Sequence, residues 1–297
     1  ENRASPMPAL FKIPASEIER RIQSLQENMQ QSEIEGFLIV QRVDLLYFAG
    51  TAQNGFLYIP AHGDPLLLIK RYAPRAREES SIADIIEISS PKEVPGRIID
   101  SYGRLPDSLA FELDVLPVTH FDFYKQLFPA KTHVDGSALI HQARSVKSPW
   151  EIQQMGNTAR LSARTFEYIQ SHLKEGYTEM EFAGMFEAFA RKIGHAGKLR
   201  VRDYQSEVYP WHVLSGPNGG KMGLLDSPFS GEGTSVAFPV GAGFRKMAAH
   251  EPILIDLGFV YNGYHMDETR MFTIGSMPKR AMDASMAAIE IHDAILE

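Results

Sequence analysis

Between Pro252 and Gly275 the sequence leaves little conformational choice, because two runs rich in Ile, Leu, Val, Tyr and Phe flank the dipeptide Asn262-Gly263. Asn-Gly between apolar runs is the strongest short-range hairpin signal, since a type I′ turn needs positive φ at both central residues. A two-residue turn there sets the register: Tyr261 faces Tyr264, Gly258 faces Asp267, and Asp256 faces Thr269. Opposed side chains share a face, and so do residues two apart along a strand. Asp256 and Asp267 therefore point the same way, as diagonal neighbours with backbones roughly 7–8 Å apart. Gly258, opposite Asp267, leaves open space beside the carboxylates. The other face carries Ile255, Leu257, Phe259, Met266 and Phe272, an apolar set suited to a core. A slip of one residue would turn the carboxylates into that core, so the pattern specifies the pairing.

Two converging carboxylates repel each other unless a proton or a cation lies between them. Hard oxygen donors suit divalent ions such as manganese, and a binuclear site holds its metals about 3.5–4 Å apart. The competing reading is a surface hairpin with two solvated Asp residues. What favours a metal site is the surrounding wording: Ile255-Asp256-Leu257-Gly258, then Gly263-Tyr264, then Asp267-Glu268-Thr269-Arg270-Met271-Phe272 and Gly275. This resembles the metal-binding hairpin of the pita-bread metallohydrolases, the family of methionine aminopeptidase, aminopeptidase P, prolidase and creatinase. In that family the two Asp residues stand eleven apart, as Asp256 and Asp267 do here.

The 297 residues, 44% hydrophobic and 23% charged, suit a soluble chain of about two domains. A net charge of −7 argues against a nucleic-acid partner, which usually leaves a basic footprint. No apolar run approaches the roughly 20 residues that span a bilayer, and the start has no charged and apolar leader pattern. The expectation is no membrane partner and a cytoplasmic address. Without cysteine, the chain has no disulfide, thiolate metal site or Cys nucleophile. It begins with Glu rather than Met, as a trimmed or partial chain would.

Upstream, Ser16 with Glu19 predicts a capping box opening an amphipathic helix to about Ser32, with Ile18, Ile22, Leu25 and Met29 on one face. Strands are expected at 36–40, 85–88 and 109–112, with a hairpin from 56–60 and 66–69 around His62-Gly63-Asp64, and helices near 92–101 and 119–128. This alternation predicts an α/β domain. Asp44-Leu45-Leu46-Tyr47-Phe48-Ala49-Gly50 resembles a stretch of the N-terminal domain of creatinase, prolidase and aminopeptidase P. Ala143 to Ile152 resembles the family's entry to its catalytic domain, and Ser148 before Pro149 is a good helix start. That helix is expected to run to about His172, and Thr178 with Glu181 to cap a second one to about Ile193. The resemblance thus implies an α/β (α+β) protein: a creatinase-like domain over 1–145, then a pita-bread catalytic domain over 146–297 that is incomplete at its C-terminus.

The Gly-rich stretch 215–243 has neither P-loop nor dinucleotide-fingerprint spacing, so its glycines are read as turn residues. In the family a Ser-Gly-x-Asn-like stretch lies at the active site and ends in a substrate-contacting His. Here the corresponding position is Gly223, a departure from the pattern. His195 reads as a helix-end residue whose cation would suit the dipole. His212, on a strand leading into Ser215-Gly216, is either a core histidine or a catalytic one. His265 shares the face of Asp267 and is either a surface histidine or a substrate contact replacing the missing loop His. Thr269, opposite Asp256, is placed to hydrogen-bond a carboxylate and orient it.

The family's site has five ligands, two Asp, one His and two Glu, the last three well after the hairpin. Beyond Gly275 this chain offers one predicted helix over 277–297, with Glu290 and His292 but nothing resembling those motifs. The expectation is that the catalytic domain continues past Glu297; the alternative is a metal-poor descendant. The resemblance implies two divalent ions (Mn, Co or Zn), a homodimer, and hydrolysis of short Xaa-Pro peptides. A small amide or amidine is the alternative substrate, as in the creatinase branch, and a non-catalytic binding protein is the third reading.

Overall fold

The computed structural model describes residues 11–203, 211–223 and 229–296. They divide into two units, one running to Trp150 and including 201–203, the other comprising Glu151–Arg200 and the described residues from 211 onward.

The first unit is an α/β layer structure. Its elements are α1 (Ala15–Gln31), β1 (Gly36–Ile39), α2 (Arg42–Ala49), β2 (Gly55–Pro60), β3 (Leu66–Lys70), α3 (Pro74–Glu79), β4 (Asp84–Ile88), α4 (Val94–Tyr102), β5 (Ser108–Phe111), α5 (Val118–Leu127), β6 (Thr132–Asp135) and α6 (Ser137–Ser145). The strands form one mixed sheet in the order β4-β3-β2-β1-β5-β6. Its apolar strands bury both faces, as a sheet covered on two sides must. The expected capping box at Ser16 does not form: α1 starts after Pro14, and no side chain caps it. Glu17, not Glu19, is the acidic residue put to use, turned inward to bond Arg21 and Ser148. Helix α2 is absent from the periodicity reading because both its sides are engaged. Leu45 and Phe48 enter the core while Asp44 is buried against Arg144 and Arg202. Gln41 caps its start, and Gly50 closes it at φ 72°.

The second unit takes in α7 (Pro149–His172) from Glu151 onward and α8 (Glu179–Lys192), followed by β7 (Trp211–Ser215), β8 (Ile253–Tyr261), β9 (Tyr264–Phe272) and α9 (Lys279–Leu296). Thr178 and Glu181 form the capping box of α8 reciprocally, as their spacing indicates. Strands β7-β8-β9 make an antiparallel sheet. The β8–β9 turn has φ 53° at Asn262 and 81° at Gly263, the pair of positive values a type I′ turn needs. One face of the sheet packs Ile253, Ile255 and Leu257 against Phe166, Ile169, Phe182 and Phe186 of α7 and α8. This face is not wholly apolar. Ser162 of α7 donates to Glu268, which also pairs with Arg270 at 3.0 Å.

Candidate functional site

The hairpin register pairs Gly258 with Asp267, Asp256 with Thr269, and Tyr261 with Tyr264, so the turn arithmetic alone placed both carboxylates on one face. That face is turned away from α7 and α8. Strand β7 adds a neighbour the hairpin could not reveal, since His212 pairs directly with Asp256. Three strands in a row thus present His212, Asp256 and Asp267 on the same side of the sheet. Thr269 Oγ1 donates to Asp256 Oδ1 at 2.9 Å, fixing that carboxylate's orientation. His265 pairs with Val260, two residues along from Asp267 on the same face and nearer the turn.

Electrostatics follow from that placement. Partial burial and then the charge of Asp256 raise the Asp267 carboxyl above its usual range, with His212 pulling the other way. Burial holds the His212 imidazole below its ordinary value, against the opposing pull of Asp256 and Asp267. A neutral imidazole therefore lies beside two carboxylates whose mutual repulsion a cation would relieve. On donor chemistry the two carboxylates fit a divalent ion, which takes hard oxygen donors. They fit as part of a ligand set, since a closed site uses four or more protein ligands. Among the described residues, no group of three or more His, Asp or Glu is arranged to hold a metal ion.

The remaining sequence candidates separate clearly. His195 does not act as a helix-end cation. It is buried, burial lowers its basicity, and Nδ1 accepts from the Gly197 N–H at 2.8 Å. Nε2 therefore carries the proton and donates to the Gly258 carbonyl at 3.0 Å, making His195 a neutral brace behind β8. Gly223 lies beside Ser230 and Pro239, where an added Cβ would come no nearer than 3.5 Å. Sequence reasoning missed Glu179, whose carboxylate is wholly buried and receives hydrogen bonds from Ser215, Asn218 and Gly243. An acidic residue in a first helical turn reads as a dipole partner, which hid that role.

Comparison with known proteins gives two matches along the chain. Residues 21–146 match the Creatinase/Prolidase N-terminal domain, and residues 153–297 match Metallopeptidase family M24. An uncharacterized peptidase of Staphylococcus epidermidis is 25% identical over 268 residues, covering 89% of this chain and 68% of that protein. One from Staphylococcus aureus is 29% identical over 199 residues, covering 66% of this chain and 47% of that protein. Among solved structures, a Xaa-Pro dipeptidase from Bacillus anthracis superposes with a TM-score of 0.72 at 21% identity, over 90% of this chain and 68% of that one. An X-Pro aminopeptidase from Thermotoga maritima gives 0.70 at 20% identity, over 91% and 69%. At such identities these structures establish the fold.

Proposed function

Because the chain belongs to metallopeptidase family M24, with a creatinase/prolidase N-terminal domain ahead of its pita-bread domain, we propose that it hydrolyses short peptides at Xaa-Pro bonds with the aid of two divalent ions, manganese, cobalt or zinc. The observation that carries this reading is the juxtaposition of Asp256 and Asp267 on one sheet face, where burial and then Asp256's charge raise the Asp267 carboxyl. These two residues would hold the metals. Bound there, a metal pair supplies a nucleophile available at neutral pH and a Lewis acid for the carbonyl. The chain's own groups do the positioning. Thr269 orients Asp256, and His212, neutral and beside both carboxylates, can accept a proton, the imidazolium charge then being offset by those carboxylates. His265 lies farther toward the turn, where a substrate end would contact it. A homodimer, a cytoplasmic address and a domain boundary near 145/146 complete the proposal. No helix among the described residues is long and apolar enough to cross a membrane.

The test is metal-dependent cleavage of a Xaa-Pro peptide panel by the longest natural form of this chain. Asp256→Ala and Asp267→Ala should each abolish turnover, and either variant retaining full activity would remove the proposal's basis. Thr269→Ala should cost roughly 10–100-fold in activity or metal affinity, the usual effect of losing a group that orients a ligand. A second reading, hydrolysis of a small amide or amidine, is favoured by Gly223 alone, which leaves no imidazole at the loop position where the family contacts substrate. Manganese binding without cleavage of any Xaa-Pro peptide would select it.

A further inference from the structure

Helix α8 has no need of Glu179 for capping, because Thr178 and Glu181 already close its first turn. Glu179 is nonetheless buried completely. Its Oε1 accepts from the Ser215 N–H at 2.6 Å and the Ser215 hydroxyl at 2.7 Å; its Oε2 accepts from Asn218 Nδ2 at 2.7 Å and the Gly243 N–H at 2.9 Å. A carboxylate has about four lone-pair sites, and all four are engaged. Arg245 reinforces the arrangement from outside by donating to the Ser215 hydroxyl at 2.8 Å while paired with Glu251.

These contacts lead from the helix side of the sheet to the carboxylate side. Ser215 ends β7, three residues after His212. Gly243 is packed so closely on Gly233 that a Cβ there would lie 2.9 Å from the Gly233 oxygen. Gly233 N–H donates to Gly241 O at 3.1 Å, and Gly241 N–H donates to Ser230 O at 2.6 Å. Gly231 in turn abuts Leu214, which shares the face of His212; a Cβ on Gly231 would come within 2.4 Å of Leu214 Cδ2. Holding Ser215, Asn218 and Gly243 on one carboxylate therefore fixes the loop that packs against Leu214, on the sheet face that carries Asp256 and Asp267.

We propose that Glu179 is a positioning residue for substrate binding, acting through the Ser215–Asn218 turn and the 230–243 loop and touching neither metal nor reacting atoms. This rests on the hydrolase reading above. A carboxamide at this position must turn an NH2 toward two of the four donors, so Glu179→Gln should loosen the 230–243 loop while leaving the hairpin's carboxylates in place.

The experiment compares wild type with Glu179→Gln in the longest natural form, with manganese as the metal probe. Expected are a KM for the best Xaa-Pro peptide raised tenfold or more, a kcat changed less than threefold, and unchanged manganese affinity. Amide exchange at Ser215 and Gly243 should be at least tenfold faster. An unchanged KM, or equal losses in kcat and manganese affinity, would overturn the proposal by showing a purely structural role. If Glu179→Gln fails to fold, Glu179→Asp, which keeps the charge but shortens the reach, should show the same selective rise in KM, and an unchanged KM would again overturn it. If the wild-type chain cleaves no peptide, the hydrolase reading fails by itself. The exchange rates then decide alone: acceleration at Ser215 and Gly243 with manganese affinity intact upholds the positioning role, and its absence overturns it.

Discussion

Glu112 shows how far one buried carboxyl can depart from the behaviour its residue type suggests. One oxygen accepts from the Val40 and Gln41 N–H groups at 2.8 and 3.0 Å, while the other, equally buried, has no donor. Burial, with a hydrogen bond to Asp44 and Asp44's charge, raises its pKa well above 4.5, so the group keeps its proton and can donate to Asp44. Asp44 itself is ion-paired with Arg144 and Arg202. The raised value fixes the sign of the pH effect: this contribution is fully present below the unfolded-state pKa and is lost as pH rises through the folded-state one. Glu112→Gln mimics the protonated acid, so urea titrations should place it within about 1 kcal/mol of wild type at neutral pH. It should also lack the wild type's loss of stability toward alkaline pH. Glu112→Ala strands two buried N–H groups and should cost about 1–3 kcal/mol.

At the scale of elements, legibility followed the range over which each signal acts. The β8–β9 hairpin is specified by its own turn and its own alternation, and the register read from Asn262-Gly263 matches the observed pairing residue for residue. The α8 cap needs only Thr178 and Glu181, and it formed. Gly263→Ala, forced to hold φ near 81°, should lose roughly 1–2 kcal/mol in thermal melts. Elements decided by distant partners were not readable. Helix α2 buries an Asp whose partners lie 100 and 158 residues away. The start of α1 answers to Ser148, 131 residues from Glu17, rather than to the local Ser16–Glu19 spacing. The candidate site divides in the same way. Asp256, Asp267 and Thr269 follow from local parity, whereas the pairing of His212 with Asp256 needed the sheet order. The Glu179 hub joins groups 36, 39 and 64 residues away, a separation no periodicity carries.

For the molecule as a whole, an ion that binds only the folded chain must stabilise it, by about 2.7 kcal/mol when free ion stands at a hundred times its dissociation constant. For a chain of this size manganese should therefore raise the melting temperature by roughly 4 °C, and Asp267→Ala should abolish the rise. The form of that dependence follows from where the donors stand. Asp256 and Asp267, the two residues proposed to hold the metals, sit on adjacent strands, whose spacing of about 4.8 Å is set by backbone hydrogen bonds rather than by the side chains. The separation of their backbones is thus a lattice constant of the sheet, held for as long as the ladder holds. Binding at this site would therefore vanish in the same transition that melts β7–β9. An ion still bound above that transition would mean that it is held by donors on some other part of the chain.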